Sequence, residues 1–279
     1  MNLSRWIRHL TYNPVLVRMT RMLCLNRFLR DIYCRSVWTR NKKIMDLSFG
    51  GIQAQFYVHT PVELRIIEAP LEKGLGEYYV IEQLFQDLMV GDVFYDIGAS
   101  LGTHTIFLAK KVGETGRVIA FEPETESYEK LKININLNGL KNVTPIKISI
   151  GNSFSEGILY NYGGGFGSFN FTGYGNHRCF EKAKIVPGDF FVKDRKLPLP
   201  KAVKIDVEGY EYNVIQGLQR TLSNEACKIV CCEIHPTMLP KSITSNDVID
   251  LLKSYDFRRV QIHPRGQTFH AFCYKELAN

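Results

Sequence analysis

The chain has 279 residues, 45% of them hydrophobic and 12% aromatic, with a formal net charge of +7 at neutral pH. That is a globular composition, sized for one large domain with an extension or for two small domains. No apolar run approaches the roughly 20 residues of a membrane-spanning helix, and no uninterrupted stretch of about 7–15 apolar residues near the N-terminus suggests a secretory signal.

The charge is unevenly spread. Residues 1–43 hold ten Lys and Arg against Asp31 alone, so this arm is strongly basic and the remainder is slightly acidic. Between Val15 and Trp38, Met22, Leu25, Leu29, Ile32 and Tyr33 recur at helical spacing. Three readings stay open for the arm. It is a docking helix with a solvated basic side, a peripheral contact with an anionic membrane surface, or a nucleic-acid-binding or cleaved targeting segment.

From Lys43 to Ile67, "IQAQFYV" and "ELRII" alternate like short strands. A helix over Glu77–Leu88 follows. Then "VFYDIG" and "GRVIAFEP" read as strands, each followed by a helix, "GTHTIFLAKKV" and "TESYEKLKININLNG". "VTPIKISI" is a third strand. The insertion between Gly151 and Lys196 is rich in glycine and aromatic residues and reads as an inserted hairpin (about 152–196), in which Tyr160, Tyr162, Phe166, Phe169, Phe171 and Tyr174 could face a sugar or form the hairpin's own core. The α/β rhythm resumes with "KAVKID", "GYEYNVIQGLQ", "ACKIVCCEIH" and "SNDVIDLLKSY", the last begun by a Thr244–Asp247 capping box. "FRRVQIH" and "QTFHAFCYK" close the chain as an antiparallel pair around Gly266. Alternating strands and helices imply an α/β fold with a mostly parallel sheet. The seven cysteines form no C-x-x-C pair, which argues against zinc or iron–sulfur ligation and for reduced, buried thiols.

The turn after the first parallel strand carries the cofactor signal. Gly98 and Gly102 bracket Ala99, Ser100 and Leu101, and Asp96 precedes them. The turn has no phosphate-loop lysine and no G-x-G-x-x-G. An acid at the turn would repel a pyrophosphate but suits a donor with a sulfonium and an amine, which is S-adenosyl-L-methionine. Glu122, ending the next strand, can accept hydrogen bonds from a ribose diol.

These stretches resemble the FkbM family of S-adenosylmethionine-dependent methyltransferases. "GDVFYDIGASLGTHTIFLA", "VIAFEPETESYEKLKININLNGL" and above all "VKIDVEGYEYNVIQGL" carry the resemblance, from about Glu77 to Gly217. It implies a class I, Rossmann-like methyltransferase sheet of seven strands with a reversed last strand, and O-methylation of sugars, glycans or other hydroxylated small molecules. On that basis residues 76–279 form the methyltransferase domain and residues 1–75 its extension. The resemblance assigns Asp96, Gly98 and Gly102 to the methionine end of the donor, with Ser100 in the same turn. It assigns Glu122 to the ribose, Ser149 to the adenine, and Glu77 to holding the turn. His104 departs from the small or aromatic residue expected there, and a surface or supporting role is the plainer reading.

Ligands of an open parallel sheet bind beyond its C-terminal strand ends. There the sequence places Asp206, Glu208 and His235. Asp206 is the first choice of general base and His235 the second. Glu233, His235 and Asp206 could together hold a divalent ion, but their spacing is not distinctive and no metal is expected. "DVEGYE" lacks the proline–aromatic clamp of amine methyltransferases, which favours an oxygen acceptor on a small molecule or glycan. The runner-up is an RNA methyltransferase using the basic arm, although nucleic acid is not the expected partner. A non-catalytic cofactor-binding protein and a nicotinamide oxidoreductase come behind it. The expected location is the cytoplasm, with the arm at a membrane surface as a variant.

Overall fold

A computed structural model describes residues 43–73, 77–161, 167–168 and 179–275. The basic arm, the expected helix over residues 15–38 and the aromatic side chains at 162, 166, 169, 171 and 174 lie outside them. No helix among the described residues is long and apolar enough to cross a membrane.

The chain enters through an antiparallel hairpin, β1 (Ile44–Phe49) and β2 (Ile52–Tyr57). The next stretch, expected as a strand, is instead a helix, α1 (Pro61–Glu68). Its start is written in "TPVE". Thr60 caps by accepting from Glu63 N–H, Pro61 sits where its missing N–H costs nothing, and Glu63 accepts from the His59 backbone. The alternation of "ELRII" is outweighed by these end signals. Met45, Leu47, Phe49, Phe56 and Leu64 pack with Ile81, Ile106 and Phe107, so this segment shares a core with the parallel sheet's helices.

Helix α2 (Tyr78–Asp87) leads into the main sheet. The sheet contains β3 (Val93–Ile97), β4 (Arg117–Phe121), β5 (Val143–Ile146), β10 (Ala202–Ile205), β11 (Ile229–Ile234), β12 (Arg259–Arg265) and β13 (Thr268–Tyr274). Their spatial order is β12-β13-β11-β10-β3-β4-β5. Strands β11, β10, β3, β4 and β5 run parallel, and β13 is inserted antiparallel between β11 and β12. The class I methyltransferase sheet with its reversed strand is therefore present. Strands β3, β10 and β11 are buried on both faces, which is why "VFYDI", "AVKI" and "IVCCEI" read as continuous apolar runs broken by single charges. Cys231 and Cys232 fall in clusters on opposite sides of the sheet, as their adjacency requires.

Helices α3 (Thr103–Val112) and α4 (Thr125–Leu137) cross over between β3, β4 and β5. Buried Asn134 of α4 accepts from Tyr57 N–H and donates to the Leu101 carbonyl, which ties the entry hairpin to the glycine turn. The expected third strand, "VTPIKISI", is divided. Pairing with β4 ends at Ile146, and β6 (Ser149–Gly151) peels away to pair with β9 (Cys179–Pro187). Together with β7 (Ser155–Asn161) and β8 (Gly167–Ser168), these form a second sheet in the order β6-β9-β7-β8. The inserted hairpin is thus real, but it recruits the end of the expected third strand. A short α5 (Gly188–Asp194) returns the chain to β10. After it, α6 (Glu211–Gly217), α7 (Gln219–Ser223) and α8 (Ser245–Ser254) complete the fold, α8 with the expected Thr244–Asp247 capping box.

Candidate active site

A cavity of about 520 Å³ opens at the C-terminal ends of β3, β4, β10 and β11, within the range of ligand pockets. Its wall includes Glu77, Gly98, Ser100, His104, Glu122, Ser149, Lys204, Asp206, Glu208 and Arg265. Most of the residues singled out from the sequence therefore converge on one place.

The glycine turn closes over the end of β3. Gly98 and Ala99 N–H both donate to the Phe121 carbonyl at 3.0 Å, and Asp206 N–H donates to the Ile97 carbonyl. Gly98 has φ +83°, and a Cβ there would stand 1.8 Å from the Asp206 carbonyl oxygen. Only glycine lets the turn sit this close to the end of β10. Ser100 also has positive φ, and its N–H donates to Glu122 at 2.7 Å. Glu122 accepts from Glu124 N–H with its other oxygen. It braces the turn while lining the cavity, and its carboxylate retains lone pairs for a diol. Burial lifts its pKa to about 7, against the pull of those two backbone donors. Affinity for a ribose-bearing ligand should therefore rise roughly tenfold between pH ~6 and ~8 as Glu122 ionises. Calorimetry with S-adenosylhomocysteine checks this, and Glu122→Gln should flatten the profile. Ser149, at the start of β6, presents a buried hydroxyl without a hydrogen-bond partner.

Asp96 is placed differently from the expectation. It is 1% exposed and lies behind the cavity wall, accepting from Thr105 Oγ1 at 2.6 Å. Its other oxygen is 3.6 Å from Lys204 Nζ. Lys204, 6% exposed on its side chain, also donates to Asp206 at 3.2 Å and to the Gly98 carbonyl at 3.4 Å. Burial raises the Asp96 pKa, opposed by Lys204 and Thr105. Burial would lower that of Lys204, but Asp206 and Asp96 outweigh it and hold the ammonium charged. The acid under the turn is thus neutralised by an internal cation. The charge argument drawn from Asp96 for a sulfonium donor passes to the cavity's own carboxylates.

Glu77 lies on the cavity wall, and its side-chain partner among the described residues is Arg265. It and Glu233 grip Arg265 of β12, linking α2 to the sheet edge. Glu233 also accepts from Thr268 and faces His270 at 3.0 Å. Burial would raise its pKa, but His270 and Arg265 hold it well below the carboxylate range.

His235 is also placed against its expected role. It lies behind the wall, with Nδ1 2.7 Å from Glu211 and Nε2 3.4 Å from Glu208 and 3.6 Å from Glu233. Burial would depress its pKa, yet the hydrogen bond to Glu211 and the charge of Glu208 push it up to about 10. Both ring nitrogens thus face carboxylates, and of the two candidate bases it is Asp206 that lines the cavity. Glu208 has φ +50°, and burial raises its pKa against the charge of His235. In the turn that follows, Gly209 N–H donates to Glu211 at 2.8 Å. Ligand atoms of Asp206, Glu208 and His235 lie within 4.8 Å of one another, a set that could hold a metal ion.

Three contributors escaped the sequence reading, namely Lys204, Glu211 and Arg265. The first two sit inside "VKIDVEGYE" at alternate or turn positions, where their charge in a buried stretch was the available signal. Arg265 gave none, since only strand insertion brings it to the site.

The residues present suit S-adenosylmethionine. The glycine-lined approach, the unpartnered Ser149 hydroxyl, the Glu122 carboxylate and the acidic floor offer partners for adenine, ribose and a cationic centre, with no phosphate-loop lysine. The hexuronic acid methyltransferase AglP of Haloferax volcanii is 29% identical over 243 residues, 82% of this chain and 93% of that protein. Similar solved structures include a SAM-dependent O-methyltransferase of Thermotoga maritima (15% identity, 84% and 78% of the two chains, TM-score 0.45). Another is a precorrin-6y C5,15-methyltransferase of Geobacter metallireducens (14%, 73% and 90%, TM-score 0.46). The methyltransferase FkbM domain matches residues 96–259, from the acid under the turn to the start of β12. With more than half its length so matched and its strands in methyltransferase order, the chain belongs to the FkbM methyltransferases and uses S-adenosylmethionine.

Proposed function

We propose that this enzyme methylates a hydroxyl of a sugar, acidic sugar or glycan precursor. The observation that carries the reading is Asp206. Its carboxylate sits at the strand-end floor of the cavity, 28% exposed on its side chain, beside the glycine turn. The likeness to a hexuronic acid methyltransferase supports a sugar acceptor, and "DVEGYE" after β10 supplies no clamp for a planar amine.

When bound, the donor supplies a methyl group on a sulfonium, which departs readily as a thioether. The chain's own work is to align the acceptor oxygen, exclude water and receive a proton. Lys204 and the Ile97 carbonyl hold Asp206 from both ends, so its carboxylate is pre-aimed. It accepts the hydrogen bond of the attacking hydroxyl and takes the proton as the C–O bond forms.

The test is transfer from methyl-labelled donor to neutral sugars, uronic acids, glycan lipids, amines and RNA, with and without EDTA. Label on a sugar oxygen, unaffected by EDTA, is expected. Label on nitrogen or RNA would overturn the reading. Loss with EDTA and recovery with magnesium would make Asp206, Glu208 and His235 metal ligands.

A further inference from the structure

The cavity wall divides along the order of the sheet. Gly98 and Ser100 follow β3, Glu122 follows β4, and Ser149 begins β6 just past the end of β5. The residues that suit the donor therefore lie to one side of β10. To the other side stand Glu233 of β11 and Arg265 at the end of β12, with Pro264 and Gly266 beside it. Asp206, just past the end of β10, marks the boundary. With the donor over β3 and β4 and the reacting hydroxyl at Asp206, the rest of the acceptor extends towards β11 and β12.

Arg265 faces that half. Its side chain reaches back across β13, where Nη1 donates to Glu233 at 2.6 Å and Nη2 donates to Glu77. The other oxygen of Glu233 is turned to His270 at 3.0 Å. Two carboxylates thus fix the guanidinium, yet 38% of the Arg265 side chain is exposed and it lines the cavity. Each Nη keeps a second N–H, and Nε–H is a further donor. A group already fixed loses little further freedom when it binds a ligand. Arg265 lies outside residues 96–259, the stretch that matches the FkbM domain, so it comes from a flanking segment of this chain. We propose that Arg265 is a specificity-determining residue that selects an acceptor carrying a carboxylate, such as a uronic acid. This selection rests on the sugar-hydroxyl reading and adds the group that recognises the acid. The guanidinium fork matches a planar carboxylate. A phosphate dianion fits worse, because Glu77 and Glu233 already share Arg265 and Asp206 and Glu208 lie on the same wall. The other arginine of the wall, Arg65, belongs to α1, which meets the donor side where Thr103 Oγ1 donates to the Ile67 carbonyl.

Ligand-observed NMR measures glucuronate, glucose and glucose 6-phosphate on the whole chain loaded with S-adenosylhomocysteine. Wild type is compared with Arg265→Gln, Arg265→Lys and Arg65→Gln, and calorimetry of S-adenosylhomocysteine reports the donor half and the fold of each. Wild type is expected to favour glucuronate, and Arg265→Gln to weaken it about tenfold or more. Glucose and S-adenosylhomocysteine should bind Arg265→Gln as they bind wild type. Arg265→Lys, which keeps the charge without the fork, should recover part of the loss. Equal weakening of glucuronate and glucose would leave Arg265 a merely structural part of the wall. Loss of S-adenosylhomocysteine binding would place it with the donor, and a loss confined to Arg65→Gln would move the carboxylate to α1. Each of these overturns the assignment, as does a wild type that does not favour glucuronate over the other two, while the sugar-hydroxyl reading stands. Transfer of label to nitrogen or RNA removes that reading itself and this selection with it.

Discussion

Lys204→Met is expected to destabilise the protein by about 3–5 kcal/mol, the cost of leaving buried charge unpaired. Lys204 is the cation between Asp96 and Asp206, and its side chain and that of Asp96 are both almost wholly buried. Methionine fills similar volume, so lost packing contributes little. Asp96 would keep only Thr105 and would escape its charge by protonation. Urea unfolding measures the loss. Adding Asp96→Asn should restore a substantial part of it, because the remaining charge, on Asp206, reaches solvent. A single variant as stable as wild type would show that the ion pairs contribute nothing net.

Asp206→Asn is expected to lower turnover by about 10²–10⁴-fold while S-adenosylhomocysteine binding stays close to wild type. Asparagine preserves the shape and can still accept from Lys204, so the floor of the cavity stays in place. What disappears is the group able to take the acceptor's proton. Single-turnover kinetics with the sugar acceptor identified by the labelling screen, paired with calorimetry, separates chemistry from binding. Near-normal turnover would remove Asp206 from the chemistry. Loss of donor binding in parallel would make it a cofactor ligand.

Much of this site is legible in the chain. The turn glycines, Glu122, Asp206 and Glu208 each stand at the end of a parallel strand or in the loop after it, and such ends share one edge by topology alone. Side-chain partnership was not legible. Asp96 and Lys204 lie on adjacent strands in register, so the acid that looked ready for a cationic ligand already had its cation. His235 lies near Asp206, but two residues of the intervening turn and helix, Glu208 and Glu211, reach it first. His104 seemed a minor departure from a family pattern until the fold buried it beside the cavity.

The alternation of buried strands and amphipathic helices determined the α/β order, the parallel sheet and the antiparallel closing pair, since these follow from local periodicity and loop length. The glycine turn and the acidic strand ends likewise announced a nucleoside-like methyl donor. Tertiary structure decided the rest: that α1 is a helix docked on the sheet's helices, that the third strand divides to join the inserted sheet, and which charges are spent on one another. The physical reason is range. Periodicity, caps and turns act over a few residues, whereas the protonation and availability of a buried side chain depend on whatever distant residue the fold brings within a few ångströms.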